Sequence, residues 1–192
     1  CGCYALADIL FGRVNPSGRL SMSMPYCTGQ LPISYSAFST GRPKPEGANG
    51  YVPFVSNYMD APNVPLYPFG WGLSYTDFEY SPVHLDNDTM ERGGRITASV
   101  TLKNAGNMDG SEPVQLYIRD KKGSVVRPMR ELKGLKRVFL KAGESADITF
   151  EITEEMLKFY GADMKYAAEN GGFTVWIGGS SLTENGADFT LV

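Results

Sequence analysis

From residue 96 onward, apolar side chains recur at every second position in four separate runs. Ile96, Ala98, Val100 and Leu102 alternate with Thr97, Ser99 and Thr101. Val114, Leu116 and Ile118 form the second run, Ala146, Ile148, Phe150 and Ile152 the third, and Phe173, Val175 and Ile177 the fourth. A period of two puts the apolar groups of each run on one face of a strand. Residues 104–110, 141–144 and 170–172 hold the turn residues between runs, and residues 188–192 read as a last strand. One-faced strands at this spacing predict an antiparallel β-sandwich of immunoglobulin or fibronectin type III form over residues 77–192. Its acids fall mostly in turns and at polar strand positions, where a solvated charge is expected. Trp176 points outward, toward packing or a domain contact. His84 lies in the first strand as a structural or surface residue. Thr153 followed by Glu154 and Glu155 reads as the capped start of a short helix.

Residues 1–76 have a different character. Leu6, Ile9 and Leu10 share one face of a helix that ends at Gly12, placed as a C-cap glycine. Two turns of helix cannot stand alone in water, so this stretch needs a partner surface. It reads as the interior of a domain, and the chain is expected to be a piece of a longer protein. After the turn at Asn15-Pro16-Ser17-Gly18, residues 20–24 alternate as a strand with Leu20, Met22 and Met24 on its apolar face. Residues 26–66 show no period but hold six prolines and six aromatic residues. A stretch that long inside a domain is unusual unless functional, and its aromatics predict an ordered excursion. Residues 67–76, with four aromatics among glycines, read as a packed irregular segment.

Counting residues excludes several kinds of chemistry. The 192 residues hold 18 basic and 21 acidic side chains, for a net charge of −3. That balance has no footprint for nucleic acid or an anionic membrane. No apolar run approaches the ~18 residues of a transmembrane helix. A Ser-His-Asp triad or a multi-histidine metal site would have to be built on His84 alone. Cys1, Cys3 and Cys27 are odd in number and lack a fourth ligand at metal spacing, so they read as buried or idle thiols. Gly178-Gly179-Ser180-Ser181 lacks the phosphate-loop pattern. Asn87-Asp88-Thr89 fits a glycosylation sequon, a match that chance supplies often. Trp71 and Trp176 have faces suited to sugar rings. Glu46 and Asp60 are the acids of the irregular region, and nothing in the spacing pairs them.

Ala7-Asp8-Ile9-Leu10-Phe11-Gly12 and Asn15-Pro16-Ser17-Gly18-Arg19-Leu20 resemble the last helix and strand of the second domain of family 3 glycoside hydrolases. Thr40-Gly41-Arg42-Pro43 and the run from Leu66 to Thr76 look like the segments that follow. Val114 to Asp120, Arg127-Pro128, Glu131 to Leu135, Leu140 to Ser145 and Phe173 to Gly178 resemble that family's C-terminal fibronectin type III-like domain. The likeness is to the bacterial β-glucosidases, including the periplasmic type. It implies an α/β remnant over residues 1–76, a sandwich over 77–192 and a β-glucoside or oligosaccharide substrate for the whole enzyme. It implies no cofactor and no metal. The aspartate nucleophile and glutamate acid/base of that family would lie upstream of Cys1, in missing N-terminal catalytic domains, so no catalytic residue is expected here. Arg42, Tyr51 and Asp60 are the residues that could approach a substrate rim. The rival readings are a carbohydrate- or protein-binding module and a purely structural immunoglobulin-like domain. A periplasmic, secreted or cytoplasmic setting all fit.

Overall fold

The alternating runs form strands, as their period requires. The computed structural model describes residues 2–45 and 51–192; Cys1 and Glu46 lie outside the described residues. In chain order the elements are α1 (Gly2–Leu10), β1 (Phe78–Tyr80), β2 (His84–Leu85), β3 (Thr89–Met90), β4 (Arg95–Asn104) and β5 (Gly110–Asp120). They continue with β6 (Glu131–Leu140), β7 (Ser145–Thr153), α2 (Glu154–Leu157), β8 (Phe159–Tyr160), β9 (Tyr166–Ala167), β10 (Gly171–Gly178) and β11 (Gly186–Leu191). One sheet pairs β4 with β7 along one edge and with β1 and β2 along the other. The second runs β3-β11-β10-β5-β6 and is antiparallel except for the β3–β11 pair. The β8–β9 hairpin stands apart.

The inward residues of both sheets meet in one core. Ile96, Ala98, Val100 and Leu102 face Val114, Leu116, Ile118, Phe173, Val175 and Ile177, and Ile148, Phe150 and Ile152 close the layer. Emptying it is expected to cost about 2–4 kcal/mol for Ile148→Ala or Val175→Ala, from lost transfer energy plus the cavity. Denaturant melts of the chain check this, and insensitivity to both changes would mean that the inward face is assigned wrongly.

Three expectations need correction. The strand expected at residues 20–24 is reduced to an isolated bridge between Met24 and Tyr67, with Leu20 bonded to Trp71 and Gly70 through the backbone. Its alternation is real, but no third segment joins it among the described residues. β6 was not expected as a strand, since it is an edge strand and its pattern is masked by Lys133, Lys136 and Arg137. The acids of the sandwich are not all solvated: Glu112 and Asp120 are buried, at 4% and 8% exposure.

Smaller expectations stand. Gly12 has φ +72°, and the backbone N–H groups of Gly12 and Arg13 bond the carbonyls of Ile9 and Asp8, closing the helix with a left-handed C-cap. Thr153 precedes α2 in extended geometry, though its side chain makes no cap bond. The cysteines expected as buried or idle thiols are not buried where they are described: Cys3 and Cys27 are free and exposed.

Candidate functional site

The excursion before the sandwich is ordered by polar side chains that replace a sheet. Gln30 is fully buried. Its Oε1 accepts the Tyr26 N–H at 2.7 Å, and its Nε2 donates to the carbonyls of Pro62 at 2.7 Å and Val64 at 2.9 Å. The Tyr58 hydroxyl donates to the Gln30 carbonyl at 2.5 Å. Asn57 holds Val52 and Val55, and Asn63 holds Tyr58 and Ser56, through backbone groups. Each bond ties residues that no regular ladder pairs.

This framework shapes an open cavity of about 860 Å³ between residues 38–45 and 56–64, with Met129 from the sandwich on one side. That volume is in the range of small-molecule sites. Of the three rim residues, Asp60 lines the cavity beside Tyr58 and Lys44. Arg42 and Tyr51 are exposed and lie outside its walls. The Arg42 carbonyl instead accepts the Ser56 N–H at 2.8 Å, pinning the two sides together. Among the described wall residues Asp60 is the only carboxylate. Retaining glycoside cleavage needs two carboxyl groups about 5–5.5 Å apart, so these walls can contact a ligand but do not form a carboxylate pair. No group of three potential metal ligands occurs among the described residues.

The excursion is fastened to the outer face of the β5–β10 sheet. Tyr35 stacks on Phe69 at 4.5 Å between ring centroids and meets Tyr117 of β5 edge-on at 5.8 Å. Tyr117 therefore points out of the core yet is fully buried. Arg19 forms a buried ion pair with Glu112 of β5, and the Tyr80 hydroxyl donates to the same carboxylate at 2.9 Å. Burial pushes the Tyr80 phenol far up, and the Glu112 charge pushes it further. The Gly178–Ser181 turn serves the same joint: the Gly179 carbonyl accepts from Gln115 Nε2 at 2.8 Å, and the Ser181 N–H donates to the Phe69 carbonyl at 2.9 Å. Trp176 does face outward, covered by the Arg130 guanidinium 4.2 Å above its ring. None of these contacts is visible as a motif; Gln115 and Tyr117 show only as residues at outward positions, and Glu112 only as an acid in step with Val114 and Leu116.

Much apolar surface among the described residues of 2–75 is uncovered. α1 buries no residue, and Leu6, Leu10, Phe11, Met22, Met24 and Leu73 are all exposed. Among the described residues no helix is long and apolar enough to cross a membrane.

Comparison with known proteins accounts for both halves. Residues 2–75 match the glycosyl hydrolase family 3 C-terminal domain, and residues 112–181 match the fibronectin type III-like domain. The chain is 46% identical over 192 residues to a periplasmic beta-glucosidase of Salmonella typhimurium, covering all of this chain and 25% of that protein. It is 43% identical over 190 residues to a putative beta-xylosidase of Formosa agariphila, covering 99% of this chain and 24% of the relative. The crystal structure of beta-glucosidase from Listeria innocua in complex with glucose superposes with a TM-score of 0.91 at 40% identity, over 97% of this chain and 26% of that one. The chain thus spans about a quarter of the length of its relatives. With an excursion fastened to a sandwich, and each part matched in order along the chain, this protein belongs to glycoside hydrolase family 3, as that family's C-terminal domain followed by its fibronectin type III-like domain.

Proposed function

We propose that this chain is the non-catalytic C-terminal portion of a retaining β-glucosidase that removes terminal non-reducing β-D-glucosyl residues. The observation that carries the reading is the uncovered apolar face of α1 and residues 20–24 in a family member that spans a quarter of its relatives. Apolar surface of this kind is stabilised by burial at roughly 25 cal/mol per Å². Its partners are the N-terminal domains that bear the catalytic carboxylates. The sandwich then holds residues 2–75 against them from behind. In this arrangement the 860 Å³ cavity overhangs the substrate entrance, with Asp60 on its wall and Arg42 and Tyr51 at its outer rim.

The isolated 192-residue chain is expected to show no turnover of p-nitrophenyl β-D-glucoside, while the complete enzyme turns it over. In the complete enzyme, Asp60→Ala and Arg42→Ala should raise KM several-fold for cellobiose and leave kcat for the aryl glucoside nearly unchanged. Turnover by the isolated chain that depends on Asp60 would refute the non-catalytic reading. The relative named as a beta-xylosidase supplies the second reading, a β-xylosidase. Comparing p-nitrophenyl β-D-xyloside with the glucoside separates the two.

A further inference from the structure

The cavity of about 860 Å³ has one lining residue that does not belong to the excursion. Met129 reaches it from the sandwich, near the end of the loop that joins β5 to β6. The backbone holds it there. Its N–H donates to the Ala37 carbonyl at 2.9 Å, and the preceding Pro128 pairs with Phe38 in an isolated antiparallel bridge. The sandwich is thus laced to the first wall of the cavity, with the half-buried Met129 side chain on its lining. The excursion adds Phe38, Met59 and Val64, all exposed, and the rings of Pro43 and Pro62.

Two of the larger polar side chains on these walls are already committed. The Tyr58 hydroxyl donates to the Gln30 carbonyl, and the Asn63 amide is taken by the Tyr58 N–H and the Ser56 carbonyl. Asp60 is the only carboxylate among the described wall residues. A second sugar would bring several hydroxyls, each needing a partner as it leaves water. Apolar walls with a few polar groups suit the opposite kind of ligand. The size agrees, since small-molecule sites run from roughly 300 to 1,000 Å³ and this one lies toward the upper end, with room for more than one ring. Methionine fits such a wall. It is unbranched and polarizable, so it adapts to ligands of different outline and makes favourable contacts with aromatic rings. Met59 and Met129 supply it from two separate parts of the chain.

When a terminal glucosyl residue is removed, that residue sits in the catalytic domains and the group joined to it projects outward. A cavity over the entrance meets that leaving group. We propose that this cavity receives an apolar, ring-bearing aglycone, and that Met129 makes the sandwich a determinant of specificity as well as a support. The inference rests on the reading above that places the cavity over the substrate entrance. It names the substrate class: β-D-glucosides of aromatic or polycyclic alcohols, favoured over those of small alcohols. Asp60 is left to meet a hydroxyl at the aglycone's edge, which is also how a second sugar would use it.

The test compares the complete enzyme with its variants on 2-naphthyl β-D-glucoside and methyl β-D-glucoside. Both carry the same glucosyl residue. The ratio of their kcat/KM values therefore isolates the aglycone and cancels any general loss of folded enzyme. Met129→Ala should lower the naphthyl-to-methyl ratio about tenfold, within the range for lost apolar contact in a pocket. Met129→Leu keeps the volume and should restore the ratio to within twofold of the parent. Met59→Ala should lower it as well, and Met59 is 80% exposed, so folding does not depend on it. A ratio unchanged in both alanine variants would overturn the proposal. So would a larger loss on cellobiose than on the naphthyl glucoside, which would make the cavity a site for a second sugar. The reading beneath it fails differently. An unchanged ratio together with no effect of Asp60→Ala on cellobiose would remove the cavity from the entrance altogether. An unchanged ratio with a raised KM for cellobiose in Asp60→Ala would overturn the aglycone site alone.

Discussion

Glu112→Ala is expected to destabilise the chain by about 3–5 kcal/mol, the cost of removing one partner from a buried ion pair. The Arg19 and Glu112 side chains are only 11% and 6% exposed, so little solvent screens them. The carboxylate accepts from both Arg19 and the Tyr80 hydroxyl. Without it the buried guanidinium keeps only the Gly18 carbonyl, at 3.1 Å, and the phenol loses its acceptor. The same reasoning predicts that replacing both partners by apolar residues, Arg19→Met with Glu112→Leu, recovers most of the loss, because no orphaned charge remains. Denaturant unfolding of the two single variants and the double variant measures the coupling. A single-variant loss below 1 kcal/mol would show a pair solvated like those on surfaces, and the joint between excursion and sandwich would then rest on the contacts of Tyr35, Phe69 and Tyr117 and on backbone bonds such as Ser181 N–H to the Phe69 carbonyl.

Gln30→Ala should unfold the excursion while sparing the sandwich. Three backbone groups, the Tyr26 N–H and the carbonyls of Pro62 and Val64, lose their partner at once. At about 0.5–1.5 kcal/mol net for each of these part-buried bonds, the local loss comes to roughly 3 kcal/mol. Among the described residues of 26–66 there is no ladder to fall back on. The cavity walled by Tyr58 to Val64 should collapse with them. Limited proteolysis is expected to cut within residues 26–66, while amides of Ile96–Leu102 and Ala146–Ile152 keep their exchange protection. Gln30→Glu retains the acceptor for Tyr26 and loses both donors, so it should fall between the parent and the alanine variant. Unchanged protease resistance in Gln30→Ala would mean that the aromatic contacts hold the excursion by themselves.

The sandwich was legible because its information is local. Ile96 to Leu102 and Ala146 to Ile152 alternate strictly, and they pair residue by residue from Ile96 with Ile152 to Leu102 with Ala146. β6 was hidden for the reason that makes it an edge: charged residues on a strand with one free side break the alternation. Residues 20–24 show the opposite failure. Leu20, Met22 and Met24 alternate as a strand does, but a strand is completed by its neighbours, and here the backbone bonds among the described residues run to residues 67–71 alone. Among the candidate site residues, Asp60 reached a cavity wall while Arg42 and Tyr51 did not. Composition and proline content mark an excursion without saying which of its side chains turn inward.

What the sequence determined by itself is the set of one-faced strands, the turns between them, the C-cap at Gly12 and the resemblance that named the family. These rest on periods and on backbone preferences, which act within a few residues. Only the tertiary structure decided that Gln30 is the hub of the excursion, that Glu112 is buried between Arg19 and Tyr80, and that Tyr117 is buried on the outer face of a sheet. Those facts depend on groups brought together across 32 to 93 residues of chain. Whether a polar side chain is a solvated ornament or a buried partner is set by what lies across from it, and no pattern within one segment records that.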